Sequence, residues 1–208
     1  ASTFFYKEKG YVKEQKQPPF FKALIECFKN KPFIIFEFIS FTVIYIQNCL
    51  MLGVNYYFTE FDVSMVPCYI SMLAGALIGI ILWIKKQVKW GVRNCIMIMC
   101  LVFSVGCLVM SFAGHLLPVA IFGFFTVGFG FSGGMYLIPL MNGDVVDYDE
   151  LRTSLRREGM YAGVNSLITK PAMSIATSVF LTIITAFGYD QTLQGGMQSA
   201  SAERGILI

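Results

Sequence analysis

The chain has 208 residues, of which 56% are hydrophobic and 14% are charged, whereas about a quarter of the residues are charged in an ordinary soluble domain. This composition excludes a soluble globular protein and predicts an all-α membrane protein. The formal net charge of +3 comes from basic loops rather than from a continuous basic patch, so nucleic-acid binding is not expected.

The first 31 residues are predicted to be a loop outside the membrane that contains one short helix. Residues 1–18 are polar and basic. In residues 19–30, apolar side chains recur at helical spacing: Phe20, Phe21, Leu24, Ile25 and Phe28. This amphipathic helix is expected either to lie along the membrane surface or to extend the first membrane span.

Uncharged runs predict five membrane spans. No Asp, Glu, Lys or Arg occurs from Phe38 to Thr59, from Val63 to Ile84 or from Asn94 to Gly143. The last run is much longer than the roughly 20 residues that one helix needs to cross a bilayer, so it is predicted to hold two spans. The predicted spans are residues 32–58, 65–84, 95–113, 118–141 and 160–187.

Lys and Arg alternate from loop to loop, which predicts the orientation of the chain. The segment before the first span and the 85–94 and 142–159 loops are basic, while the 59–64 and 114–117 loops carry no Lys or Arg. Because basic loops stay in the cytoplasm, the N-terminus is predicted to be cytoplasmic and residues 188–208 to form an outer loop. The odd number of spans leads us to expect a missing last helix after this loop and more chain before residue 1.

Polar residues in the first span have two interpretations. Gln47 and Asn48, near its middle, either form interhelical hydrogen bonds or line a polar cavity. Glu37, about one turn into the span, is expected to extend toward the inner interface. In the fourth span, five glycines predict close packing, bending or both: Gly123, Gly128, Gly130, Gly133 and Gly134.

The fifth span carries a lysine, Lys170, followed by a proline. Four residues at intervals of four share one helix face, which we name the polar stripe: Ser166, Lys170, Ser174 and Ser178. Asn165 and Thr169 lie one turn or less before the lysine. Because ionisable groups inside a membrane are costly and are usually kept for a substrate or ion path, the stripe is predicted to face protein or water. The alternative is a lysine that reaches the interface from near a helix end.

A dense cluster of both charge signs precedes the fifth span. It consists of Asp144-Val-Val-Asp147-Tyr148-x-Glu150, Arg156-Arg157-Glu158-Gly159 and then Lys170. This pattern resembles the melibiose carrier-like glycoside–pentoside–hexuronide:cation symporter family of the major facilitator superfamily. That family carries an Asp-x-x-Asp-Tyr-x-Glu loop between helices ten and eleven. The match is strong over residues 140–178 and consistent in topology over residues 20–190.

The resemblance implies a partial major facilitator fold, with the five spans as helices 7–11 of twelve and residues 1–31 as the cytoplasmic middle loop. It also implies a sugar site to which Lys170 contributes. The melibiose carrier of this family has a tryptophan at the position of Met135, so Tyr136 is expected to offer an aromatic surface instead. The candidate substrate-binding residues are Lys170, Thr169, Asn165, Ser166, Tyr136, Asn48 and Gln47.

The resemblance further implies that Asp144, Asp147 and Arg156 join a charge network that closes a cytoplasmic gate. Exposed ion pairs are weak enough to break and re-form in each cycle. The candidate gate residues are Asp144, Asp147, Tyr148, Glu150, Arg156, Arg157 and Glu158. The alternative interpretation of this cluster is a solvated loop.

The expected function is secondary active transport of a sugar or glycoside, coupled to Na+ or H+, by alternating access in the plasma membrane. The alternatives are a major facilitator carrier of a lysolipid or another organic solute, and a sensor that binds a ligand without transport. The expected partners are the solute, the bilayer and a missing N-terminal six-helix half that holds the coupling-cation sites. No cofactor or metal site is expected in this chain. No nucleophile–base pair or phosphate-binding loop indicates an enzyme.

Overall fold

The computed structural model describes residues 19–61, 63–113, 116–155, 157–190, 193 and 198–207. All regular elements in these residues are α-helices: α1 (Phe20–Lys29), α2 (Lys31–Glu60), α3 (Met65–Trp90), α4 (Val92–Ala113), α5 (Leu117–Thr153), α6 (Glu158–Ala186) and α7 (Ala200–Leu207). The helices α2 to α6 are long and apolar enough to cross a membrane. The predicted all-α membrane fold with five spans is therefore confirmed.

Two helices continue beyond the predicted ends of their spans. Residues 85–90 are helical, and α3 ends only at Trp90, before Gly91, which has a φ of 78°. Most of the predicted 142–159 loop is likewise helical, because α5 continues to Thr153, before Ser154, which has a φ of 54°. Charged residues such as Lys, Glu and Arg are good helix formers. Hydropathy therefore marked where the apolar stretch ends and not where the helix ends.

These extensions lie at one end of the bundle, where α2 and α6 begin and α3 and α5 end. We name it the basic end. Its Lys and Arg residues within the described chain include Lys29, Lys31, Lys85, Lys86, Lys89, Arg93, Arg152 and Arg157.

The central helix is α5, which packs against α2, α3 and α4. Its contact with α3 depends on glycines on both sides. A Cβ added to Gly75 of α3 would strike the carbonyl oxygen of Phe125, and one added to Gly128 of α5 would strike the carbonyl oxygen of Met72. The two backbones therefore touch, as the glycine pattern predicted.

One face of α4 also packs on α5 through glycines. A Cβ on Gly130 would lie 2.7 Å from Cβ of Phe103, and a Cβ on Gly106 would lie 2.8 Å from Cγ2 of Val127. The opposite face of α4 carries exposed apolar side chains at helical spacing: Met97, Leu101, Val105, Leu108 and Phe112. Such a face is suited to lipid.

The helix α6 packs beside α2, and two contacts fix their register. The rings of Phe33 and Tyr161 meet edge to face with their centroids 4.7 Å apart. About two turns further along α2, the Ser40 hydroxyl donates a hydrogen bond to Oδ1 of Asn165 over 3.1 Å. The contact with α2 leaves other faces of α6 uncovered.

The end opposite the basic end is held largely by aromatic rings. Tyr57 and Phe58 of α2 pack against Phe124 of α5, with centroid distances of 5.8 and 5.3 Å. The hydroxyl of Tyr189 donates a hydrogen bond to Oε1 of Glu60 over 3.0 Å. A cavity of about 350 Å³, with mostly apolar walls, lies between α2, α4, α5, α6 and α7 at this end.

Candidate functional site

The polar stripe of α6 lies on the surface of the described bundle. Its four residues are all exposed, whereas Thr169, Ala172 and Ala176 on the same helix are buried. Within the described residues, the Lys170 ammonium group has no hydrogen-bond or ion-pair partner. Because a charged group facing lipid is costly, this face of α6 requires water or another protein surface.

Two of the candidate substrate residues lie inside the α2–α6 interface instead. Oδ1 of Asn165 accepts the hydrogen bond from Ser40, and the Asn165 carbonyl accepts one from the Thr169 hydroxyl over 2.8 Å. Thr169 is buried. The structure therefore separates these two side chains from Ser166 and Lys170, which are exposed on the polar stripe.

Three further candidates make hydrogen bonds elsewhere in the bundle. Nε2 of Gln47 donates to the carbonyl of Phe131 on α5 over 3.3 Å, which is the interhelical bond of the first interpretation. Nδ2 of Asn48 donates to a carbonyl one turn earlier in its own helix. The Tyr136 hydroxyl accepts a hydrogen bond from Nε2 of Gln87 on α3 over 2.7 Å. None of these bonds reaches the polar stripe.

The candidate gate residues within the described chain lie on α5 and at the start of α6. Asp144, Asp147 and Tyr148 are exposed, and we name them the exposed acidic face. Glu150 is half-buried and Glu158, at the start of α6, is exposed. The candidate gate residue Arg156 lies outside the described residues. The exposed acidic face is available to a partner surface, whereas Arg157 is not.

Arg157 is instead part of a buried ion pair with Asp149 that joins the end of α5 to the start of α6. Nη2 and Nε of Arg157 lie 2.6 and 3.0 Å from Oδ2 of Asp149, and Nη2 of Arg152 lies 3.1 Å from Oδ1. Asp149 is fully buried and Arg157 is 4% exposed. Burial lowers the pKa of Arg157, but the hydrogen bond and the charge of Asp149 outweigh it and keep the pKa above its usual value.

The sequence did not predict that Asp149 would be buried. A signal was present, because Asp149 follows the apolar Val145 and Val146 at four and three residues and so shares their helix face. Both valines are buried. Residues 142–159 were predicted to be a loop, so no shared helix face was expected there.

The short helix α1 is confirmed, and it is separate from the first span. The backbone leaves the helix at Asn30, with φ −79° and ψ 100°. Nδ2 of Asn30 donates to the Tyr161 hydroxyl over 3.1 Å, and both residues are buried. Cys27 of α1 is also buried, while Ile25 and Phe28 are exposed. One face of α1 therefore packs on the basic end of the bundle.

Glu37 does not extend to the interface, and that prediction is wrong. Its side chain is 5% exposed, and neither carboxyl oxygen has a hydrogen-bond partner among the described residues. Glu37 lies six residues into α2, or about 9 Å along the axis. The side chain is directed into the protein because it falls on the same face of α2 as the buried Phe33 and Ser40.

Two comparisons with known proteins bear on this arrangement. A family model described as MFS/sugar transport protein matches residues 1–208. The isoprimeverose transporter of Lactiplantibacillus pentosus is 28% identical over 204 residues, which cover 94% of this chain and 41% of the relative. The chain thus spans about two fifths of the length of the curated relative that it matches.

Proposed function

This chain belongs to the MFS/sugar transport protein family, and we propose that it forms helices 7–11 of a secondary carrier for a sugar or glycoside. The family match confirms the resemblance inferred from the 140–178 segment. The family consists of transporters and not of enzymes, as predicted. Coupling to Na+ or H+, alternating access and a location in the plasma membrane with the basic end in the cytoplasm are further parts of the proposal.

The observation that carries the proposal is the uncovered polar stripe of α6. Lys170 lies twelve residues after the first residue of α6 and sixteen before the last, or about 18 and about 24 Å from the helix ends. A lysine side chain cannot reach either end over such distances, which argues against the interface alternative. A mid-span ammonium group flanked by serines fits the wall of a water-filled cavity.

In this cavity Lys170 would act as a hydrogen-bond donor to the solute. An ammonium group offers three donors and no acceptor, which suits the lone pairs of sugar hydroxyls. Ser166 and Ser174, one turn to either side, can both donate and accept. The stripe thus offers a row of polar groups for a polyhydroxylated solute, without a metal or a nucleophile.

The second wall of the cavity would come from a six-helix half outside this chain. The chain covers about two fifths of its transporter relative, which leaves ample length for that half. The resemblance implies coupling-cation sites in that half. At the basic end, the exposed acidic face of α5 would meet this half, and exposed ion pairs of about 0–1 kcal/mol each can exchange partners as the two halves rock.

The test is uptake by the complete carrier that contains this chain, reconstituted in proteoliposomes. Labelled isoprimeverose, the solute in the relative's name, is supplied with an inward Na+ or H+ gradient. Loss of a hydrogen bond from a charged group costs about 1.5–3 kcal/mol. Lys170→Ala should therefore lower initial uptake at least tenfold at unchanged expression. Near-normal uptake would show that Lys170 does not bind the solute.

Leu101→Ala is the matched control, because Leu101 is an exposed side chain on the apolar face of α4. This variant should transport like the wild type. A labelled lysolipid is measured in parallel under the same gradients. Uptake of the lysolipid without any glycoside uptake would show that the transported solute is a lipid and not a sugar. Binding without uptake of either compound would favour the sensor alternative.

A further inference from the structure

The carboxyl group of Glu37 lies between the two contacts that join α2 to α6. Phe33, Glu37 and Ser40 follow one another at helical spacing on one face of α2. Phe33 meets Tyr161 and Ser40 meets Asn165, and these partners are themselves one turn apart on α6. The carboxyl group is therefore held at the α2–α6 interface, with aromatic rings on the side of the basic end and an amide on the other side.

No charged group compensates Glu37 within the described part of the chain. Two polar side chains across the interface already take part in hydrogen bonds, because the Tyr161 hydroxyl accepts from Asn30 and Asn165 accepts from Ser40. The charged side chains described on α2 and on the segments that contact it are exposed, engaged with other residues or at the opposite end: Glu26, Lys29, Lys31, Glu60, Asp144, Asp147, Asp149, Glu150, Arg152, Arg157, Glu158, Lys170, Glu203 and Arg204.

An ionised carboxylate in this place would be unstable. Taking a lone carboxylate out of water without a partner is strongly unfavourable even after relaxation, and such a group is neutralised instead. A metal ion is a poor alternative, since within the described residues no group of three or more His, Cys, Asp or Glu surrounds a common point. A proton neutralises the charge without further ligands.

We propose that Glu37 is a proton-binding site inside the bundle, filled while α2 and α6 are packed together and emptied when they part at the basic end. The buried carboxylic acid is compatible with the packed interface, and the carboxylate requires water. Loss of the proton therefore favours a conformation in which water reaches the Phe33–Ser40 segment. Protonation of Glu37 and the packing of α2 on α6 are in this way linked.

The direct test is infrared spectroscopy of the complete carrier in lipid at neutral pH. A protonated carboxylic acid has a carbonyl stretching band that is separate from carboxylate bands and shifts in heavy water. This band should be present in the wild type and absent in Glu37→Gln, which keeps the size of the side chain. It should remain in Asp147→Asn, which removes an exposed carboxylate. A wild-type spectrum without the band overturns the proposal, as does a band that Glu37→Gln retains.

A second measurement uses thermal denaturation over a pH series. The packed form holds a proton that the unfolded chain releases, so wild-type stability should fall as pH rises, by up to tenfold in the folding equilibrium per pH unit. Glu37→Gln cannot release a proton and should lose this component of the pH dependence. Identical pH profiles for wild type and Glu37→Gln would overturn the proposal. If Na+ stabilised the wild type at high pH but left Glu37→Gln unchanged, Na+ rather than a proton would occupy the site, and the proposal would be overturned.

The consequence for transport rests on the proposed function. Glu37→Gln should exchange labelled solute across vesicles of equal pH on both sides, but should lose at least tenfold in uptake driven by a proton gradient. If the wild type moves no glycoside, the proposed function fails, while the infrared band still decides whether Glu37 holds a proton. If the wild type transports the solute and Glu37→Gln keeps full proton-driven uptake, proton binding by Glu37 is not linked to transport.

Discussion

The two helices α5 and α6 are about equally apolar, yet they are used in opposite ways. In their most apolar stretches, 56% of the residues of α5 are buried and only 22% of those of α6. The central helix contacts three neighbours through glycines, and Gly128 brings its backbone onto that of α3. By contrast, α6 packs along α2 and leaves Lys170 and its serines uncovered.

This difference shows that hydropathy identifies a membrane helix but not its role in the bundle. The distribution of small and polar residues around the helix is more informative. Glycine on several faces indicates a helix that is surrounded by others. A single polar stripe indicates a helix that is covered on one side and faces water or a partner on the other. Under the proposed function, α5 would be the structural axis of this chain and α6 its transport surface.

The largest expected effect on stability is at the buried ion pair between Asp149 and Arg157, which connects the end of α5 to the start of α6. Asp149→Asn removes the charge that neutralises the buried Arg157, and breaking a buried ion pair from one side costs about 3–5 kcal/mol. Thermal denaturation in detergent should show a markedly lower midpoint. The control Asp147→Asn, on the exposed acidic face, should stay within about 0.5 kcal/mol of the wild type. Equal midpoints for the two variants would contradict the burial of the Asp149–Arg157 ion pair.

The next effect tests the close packing of α5 on α3. In Gly128→Ala the new methyl group meets the backbone of Met72, which cannot move as a flexible side chain would. Overpacking of this kind costs about 1–3 kcal/mol. The same denaturation assay applies. If Gly128→Ala were as stable as the wild type, α3 and α5 would lie further apart than described.

A smaller effect of opposite sign is expected on α6. A Cβ added to Gly163 meets nothing within 4 Å among the described residues. Since alanine is a better helix former than glycine, Gly163→Ala should raise stability by about 0.5–1 kcal/mol. This variant is the matched partner of Gly128→Ala, because the same chemical change is made in the buried helix and in the uncovered one. A loss of stability in both would mean that α6 is also covered at Gly163.

The smallest effect on stability is expected for Lys170→Ala. The side chain is exposed and has no partner within the described chain, so the variant should denature within about 0.5 kcal/mol of the wild type. Combined with the expected loss of uptake, this result would show that Lys170 on α6 contributes to transport and not to the stability of the bundle. A large loss of stability would instead show that Lys170 pairs with a group outside the described residues.

Much of the fold and part of the site could be predicted from the sequence, because the signals are local. Uncharged runs located the five spans, and spacing placed Ser166 and Lys170 on one face of a helix. Glycine content predicted the packing of α5. The prediction failed where a loop was inferred from charge, since residues 143–153 are both charged and helical.

The sequence by itself therefore determined where the apolar stretches of the long helices lie, that these helices can cross a membrane, and which residues share a helix face. Only the tertiary structure decided which face meets which neighbour, because those contacts join residues far apart in the chain. Ser40 and Asn165 are 125 positions apart, and their contact, with that of Phe33 and Tyr161, brackets Glu37. Asp149 and Arg157 are only eight positions apart, but their ion pair depends on how the end of α5 meets the start of α6, and a local helical pattern does not specify that geometry.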